Sequence, residues 1–241
     1  MRMIENIITP TPINGELDHS APPIVDRFGR SFNYLRLALN EQCNLRCIYC
    51  MPEEGIDFRS KDKLLTTEEI FRLIEIASQM GVSKIRFTGG EPFLNPELIA
   101  ILNLCLQRGF AVLVLTNAMK TMMKHSKELL KLNLQYPDSL SLRVSLDHYS
   151  EELHAEERGK RSWKPAIKGL QWLSDNDFSF SVAGRTYWDE TEADMREGYK
   201  KLFEEQSIKL DAYSALRLIL FPEMDLTVDV PEITTTCWGI L

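Results

Sequence analysis

Between residues 34 and 220, short apolar runs alternate with longer segments of helical period, and this alternation limits the fold more than any other feature. The runs are "YLRLAL" from 34, "KIRFTGG" from 84, "FAVLVLTN" from 110, "SLSLRVSLD" from 139, "FSFSVAGRT" from 178 and "ALRLIL" from 215. Each is bounded by polar or turn residues, as strands are. "TTEEIFRLIEIASQMG" reads as a helix with Thr66 as N-cap and Glu69 completing a capping box. Its apolar residues Ile70, Leu73, Ile74 and Ala77 share one face, and Gly81 stops it. "NPELIAILNLCLQRG" reads as a second helix, with Asn95 as N-cap, Pro96 at the first helical position and Gly109 at the end. Further helices are expected near 122–132, over 163–175 and over 191–207. Strands separated in this way run parallel, joined by right-handed crossovers. Six βα units are too few for a closed eight-fold barrel, so the expectation is an α/β fold, either a partial barrel or an open doubly wound sheet.

In both architectures ligands bind at the carboxyl ends of the strands. The chemically unusual residues fall there. Cys43 follows the first strand, "TGGEP" (88–92) the second, Thr116 and Asn117 the third, and Ser145 and Asp147 the fourth. Arg185 and Tyr187 follow the fifth and would face the same mouth as possible substrate contacts. His148 and His154 fall in a polar stretch that reads as a surface helix. No paired-carboxylate or Ser-His-Asp pattern stands out, so no catalytic acid or base is assigned.

Cys43, Cys47 and Cys50 lie within "CNLRCIYC". A disulfide uses two thiols and a structural zinc site four ligands. Three thiolates on one loop suit an iron–sulfur cubane with one iron left open. Zinc needs a fourth donor, for which the remote Cys237 is available, while Cys105 sits on an apolar helix face and reads as core. An odd count of five cysteines, three of them clustered, is unlike the disulfide framework of a small secreted domain.

The net charge of −7 offers no bulk attraction for nucleic acid or an anionic membrane. No stretch approaches the roughly 20 apolar residues of a membrane span, and the first residues lack a secretory signal pattern. A cytoplasmic protein is expected. Residues 1–30, with Pro10, Pro12, Pro22 and Pro23, read as an extended or disordered arm. Residues 31–222 read as one core domain. Residues 223–241, ending "TTTCWGIL", read as a tail, either that of a natural short form or the start of a C-terminal cluster domain.

"CNLRCIYC", with aromatic Tyr49 before the third cysteine, followed some forty residues later by "TGGEP", resembles the radical S-adenosylmethionine superfamily. Within it, the N-terminal half is most similar to the branch of the molybdenum-cofactor GTP cyclase and the SPASM/twitch peptide maturases. The resemblance spans about residues 32–220 and implies a partial (βα)6 barrel of parallel strands with outer helices. It implies a 4Fe–4S cluster on Cys43, Cys47 and Cys50, with S-adenosylmethionine on the open iron. Reductive cleavage of that cosubstrate would yield a deoxyadenosyl radical that takes hydrogen from a substrate. Cosubstrate-binding positions carried over are Tyr49, Gly89, Gly90, Glu91, Thr116, Asn117, Ser145 and Arg158. Gly89 and Gly90 are expected to let the backbone approach the ligand, and Glu91 to hold the methionine ammonium. The implied partners are a small-molecule or peptide substrate and an electron donor such as flavodoxin or ferredoxin.

Overall fold

A computed structural model describes residues 24–50 and 64–222. Ile24–Val25 (β1) and Ser31–Phe32 (β2) pair antiparallel around a turn in which Asp26 Oδ1 accepts from the backbone N–H groups of Phe28 and Arg30. The expected arm therefore ends in a short hairpin over 24–32, and residues 1–23 lie outside the described residues. The expected tail, 223–241 with Cys237, lies outside them as well.

Six parallel strands follow: Tyr34–Ala38 (β3), Lys84–Thr88 (β4), Ala111–Thr116 (β5), Leu140–Ser145 (β6), Ser179–Thr186 (β7) and Leu218–Pro222 (β8). Their order in the sheet is their order in the chain. Among the described residues the strand order never reverses, as it would in a doubly wound sheet, so this is the partial (βα)6 barrel. The helices are Thr67–Gln79 (α1), Leu98–Gln107 (α2), Lys120–Met123 (α3), Ser126–Gln135 (α4), Glu151–Arg158 (α5), Trp163–Asp175 (α6) and Glu192–Glu205 (α7).

Strand alternation divides the sheet into two faces. Leu37, Ile85, Phe87, Val112, Val114, Leu142, Val144 and Val182 are buried on the helix side. Against them pack Ile70 and Ile74 of α1 and Ile101 and Leu102 of α2, all essentially inaccessible. Each such side chain contributes about 1.5–3 kcal/mol of hydrophobic stabilisation. Cys105 lies in this core, fully buried.

The capping box on α1 forms as expected: Glu69 N–H donates to Thr66 Oγ1 and Thr66 N–H to Glu69 Oε2. The second helix differs. Pro92–Leu94 makes a 3-10 turn, Asn95 Oδ1 accepts from Glu97 N–H in an Asx-type turn, and α2 starts only at Leu98. Asn95 thus caps a turn, not a helix. The helix expected near 122–132 is two, α3 and α4, separated at His125.

Candidate functional site

The strand ends place the motifs together. Past β3, Leu39 N–H donates to Thr88 O, Gly90 N–H to Asn40 O and Glu91 N–H to Gln42 O, while Asn40 Nδ2 donates to Glu91 O. The entry to the cysteine loop is thus laid backbone to backbone on "TGGE". Here the glycines have a reason the sequence did not reveal. A Cβ on Gly89, whose φ is +136°, would stand 2.4 Å from Asn40 O, and one on Gly90 would stand 2.2 Å from Gln42 O. Their small size is required by the backbone of the adjoining cysteine-loop segment.

Glu91 is 1% exposed, not the solvated turn residue its type would suggest. Oε1 accepts from Thr116 Oγ1 at 2.8 Å and from Phe93 N–H at 3.2 Å, and Oε2 accepts from Asn117 N–H at 2.9 Å. Burial pushes its pKa above the ordinary carboxylate value, and the three donors oppose that shift. Thr116 and Asn117 therefore hold Glu91. Asn117 also reaches the cysteine loop, its Nδ2 donating to Asn44 Oδ1 at 2.9 Å.

The far end of the loop is gripped by α5 and β7. Ile48 N–H donates to Glu157 O. Tyr49 Oη lies 3.1 Å from Asp147 Oδ2 and accepts from Arg158 Nη2. Arg158 Nε donates to Asp147 Oδ2 at 2.7 Å, and Arg185 Nη1 pairs with Glu157 Oε2. The Arg185 guanidinium lies 4.0 Å from the centre of the Tyr49 ring, a cation–π stack. Burial would drive the Arg158 guanidinium toward neutrality, yet its interactions with Asp147 and Tyr49 together outweigh burial and raise the pKa. Burial also raises the Tyr49 phenol.

Arg158 belongs to a buried ion pair with Asp147. Ser150 caps α5, accepting from Leu153 N–H. His148 and His154 are not surface residues but 1% and 0% exposed. His154 Nδ1 accepts from Asp147 N–H, and burial pulls its pKa down to about 4. His148 Nδ1 accepts from Ser150 N–H while Nε2 faces Glu190. Tyr187 is exposed, with Arg185 above its ring.

Ser145, Asp147, Arg158, Arg185 and Tyr49 line a cavity of about 270 Å³ with Arg143 and Phe221. On the open face of the sheet, Arg36 and Arg86 stand directly opposite in register. Arg36 Nε donates to Tyr34 Oη and Arg86 lies over the Tyr34 ring. Arg143 Nε is 3.4 Å from Ser181 Oγ, and burial with the nearby Arg86 and Arg36 charges lowers its pKa. No carboxylate pairs with these three arginines among the described residues. Sequence reasoning missed them, although their period-2 placement on the strands was visible.

Cys43 is half-buried, Cys47 buried and Cys50 exposed. Burial raises the Cys43 thiol and pushes Cys47 up to about 11. Among the described residues no three His, Cys, Asp or Glu side chains gather as around one metal ion. Three soft thiols on one loop fit a cubane, in which each binds its own iron.

The sequence matches the Radical SAM superfamily over residues 38–202, more than half of the chain. The chain belongs to the radical SAM superfamily. It is an enzyme of that superfamily, whose members use a 4Fe–4S cluster and S-adenosylmethionine. It is 39% identical over 150 residues to molybdenum cofactor biosynthesis protein 1 of Drosophila melanogaster, which covers 61% of this chain and 26% of that protein. It is 52% identical over 79 residues to GTP 3',8-cyclase of Streptomyces coelicolor, covering 32% of this chain and 23% of that enzyme. The chain thus spans about a quarter of these relatives. Streptococcus suis SuiB bound to S-adenosylmethionine superposes with a TM-score of 0.62 at 16% identity, over 81% of this chain and 41% of SuiB. That likeness establishes the fold alone. Radical SAM enzymes take small-molecule or peptide substrates and a reductant. Among the described residues, no helix is long and apolar enough to cross a membrane.

Proposed function

We propose that this radical SAM enzyme acts on a nucleoside triphosphate, with GTP, named in the Streptomyces relative, as the first candidate. One observation carries the reading: Arg36 and Arg86 face each other in register, near Arg143, without a carboxylate partner among the described residues. Like charges directly opposite in a sheet cost stability. Such an arrangement fits a site whose missing partner is a polyanion, because guanidinium groups bind phosphate oxygens bidentately. Arg143 also lines the cavity at the strand ends, which would connect the phosphate site to the reacting one.

Cys43, Cys47 and Cys50 would hold the 4Fe–4S cluster. When bound, it supplies the electron that cleaves S-adenosylmethionine and so the radical that takes a hydrogen atom from the substrate. The chain's own residues bind and orient. Glu91 has three of its roughly four acceptor sites filled, leaving one for the methionine ammonium. Thr116 and Asn117 fix that carboxylate, and Gly89 and Gly90 seat the loop beside it. Ser145, Tyr49 and Arg158 line the cavity the cosubstrate would fill. The reading includes a cytoplasmic location and a flavodoxin- or ferredoxin-type donor, and residues 31–222 as the catalytic domain.

Anaerobic reconstitution, reduction and titration with GTP tests the substrate. Deoxyadenosine formation should rise with GTP and a modified nucleotide should appear. Arg86→Ala should raise the KM for GTP at least tenfold with iron content unchanged. An intact cluster that cleaves S-adenosylmethionine indifferently to nucleotide, or only with a peptide present, overturns the substrate.

A further inference from the structure

Two buried ion pairs converge on one ring. Asp147 and Arg158 meet the Tyr49 hydroxyl, whereas Arg185, paired with Glu157, lies over its face. Both arginines border the cavity, and the first pair also meets the polar atom of the ring. The second has a different geometry: Arg185 stacks 4.0 Å from the ring centre and is held by Glu157. Glu157 is 5% and Arg185 13% exposed at the side chain. Both are anchored through the backbone as well. Glu157 O accepts from Ile48 N–H of the cysteine loop, and Arg185 N–H donates to Asp147 O.

We propose that Glu157 and Arg185 are positioning residues for the cysteine loop. Arg185, aimed by Glu157, backs the Tyr49 ring and so fixes the orientation of the segment from Cys47 to Cys50 relative to the cavity. The planar guanidinium matters as much as its charge, because only a flat cation lies against the ring while keeping its carboxylate partner. The backbone bond from Ile48 to Glu157 sets the height of the loop, and the stack sets its rotation. Loosening the stack leaves all three thiols in the chain but misaligns them with the pocket, so cosubstrate binding suffers more than iron binding. This inference rests on superfamily membership and not on the nucleotide substrate.

The test compares Arg185→Gln, Arg185→Lys and Glu157→Gln in the reconstituted protein. Iron content is measured first. The electron paramagnetic resonance spectrum of the reduced cluster is then followed as S-adenosylmethionine is added. Alkylation of the buried Cys105 in the iron-free chain reports whether the fold is intact. Arg185→Gln should bind wild-type iron and keep Cys105 protected, while the S-adenosylmethionine concentration for half the spectral change rises at least tenfold. Arg185→Lys should recover little of this loss, and Glu157→Gln should show a smaller shift in the same direction. Wild-type titration by Arg185→Gln overturns the proposal, as does full recovery by Arg185→Lys. Should Arg185→Gln expose Cys105, Glu157→Gln decides: a shifted titration with Cys105 protected supports positioning, and an unshifted one overturns it.

Discussion

Replacing Gly90 with Ala tests the account of how the cysteine loop is seated. The added Cβ would lie 2.2 Å from Gln42 O, and contacts below 3.0 Å are essentially never found. The obstacle is backbone, so no side chain can rotate away. The two segments must separate by roughly 0.8 Å, the difference between those distances. Glu91 N–H to Gln42 O, now 2.8 Å, and Gly90 N–H to Asn40 O, now 3.0 Å, are the bonds that would stretch. Opened to about 3.6–3.8 Å they are no longer hydrogen bonds. Two such losses, where Gly90 and Gln42 are exposed but Asn40 and Glu91 buried, cost about 1–3 kcal/mol together. That is a large part of a typical stability of about 5–15 kcal/mol but less than all of it. The variant should therefore fold, with its loop displaced. Urea unfolding of the iron-free chain gives the cost, and iron content after reconstitution reports the loop. A change below about 0.5 kcal/mol, the scale of an ordinary surface substitution, with full iron content would refute the packing account.

Other perturbations discriminate further. Arg158→Met leaves the Asp147 carboxylate, 2% exposed, without its ion pair and should cost about 3–5 kcal/mol in chemical denaturation. His154 is held neutral with a pKa of about 4, so an unfolded chain takes up its proton first as pH falls. Stability should drop between about pH 6.5 and 4 by about 3 kcal/mol and level off below. In His154→Asn, which keeps an acceptor for Asp147 N–H, that part of the slope should vanish in pH-dependent unfolding. Cys47→Ala should abolish cluster assembly, whereas Cys105→Ala should keep full iron content and lose only core stability, about 1–2 kcal/mol.

The fold was legible because its signals are local. The strands have their own composition, and the Thr66–Glu69 capping box lies within four residues. The cysteine triplet and "TGGEP" were legible for the same reason. What failed depended on distant neighbours. Asn95–Pro96 has the form of a helix start, but Pro92 opens a 3-10 turn first and uses Asn95 to close it. The histidines looked solvent-facing because the sequence around them is polar, yet their Nδ1 atoms satisfy the buried turn after β6. Asp147 was not carried forward as a site residue, since nothing nearby in sequence announces that it meets Arg158 and Tyr49. Asn44 and the Arg36–Arg86 pair were overlooked because their meaning lies in residues some fifty to seventy positions away.

The order of the strands has a consequence for how the molecule is made. Strand order equals chain order, so the sheet can grow outward from β3 as the polypeptide leaves the ribosome, each strand joining the one just placed. The cysteine loop emerges at the start of that process. Its partners on "TGGE" and at Asn117 arrive next, but Arg158 and Arg185 are synthesised more than a hundred residues later. During translation the three thiols therefore precede the elements that shelter them. The gripped form of the loop cannot exist until β7 has been translated, and whatever delivers iron and sulfide in the cell meets either bare nascent thiols or a nearly finished barrel.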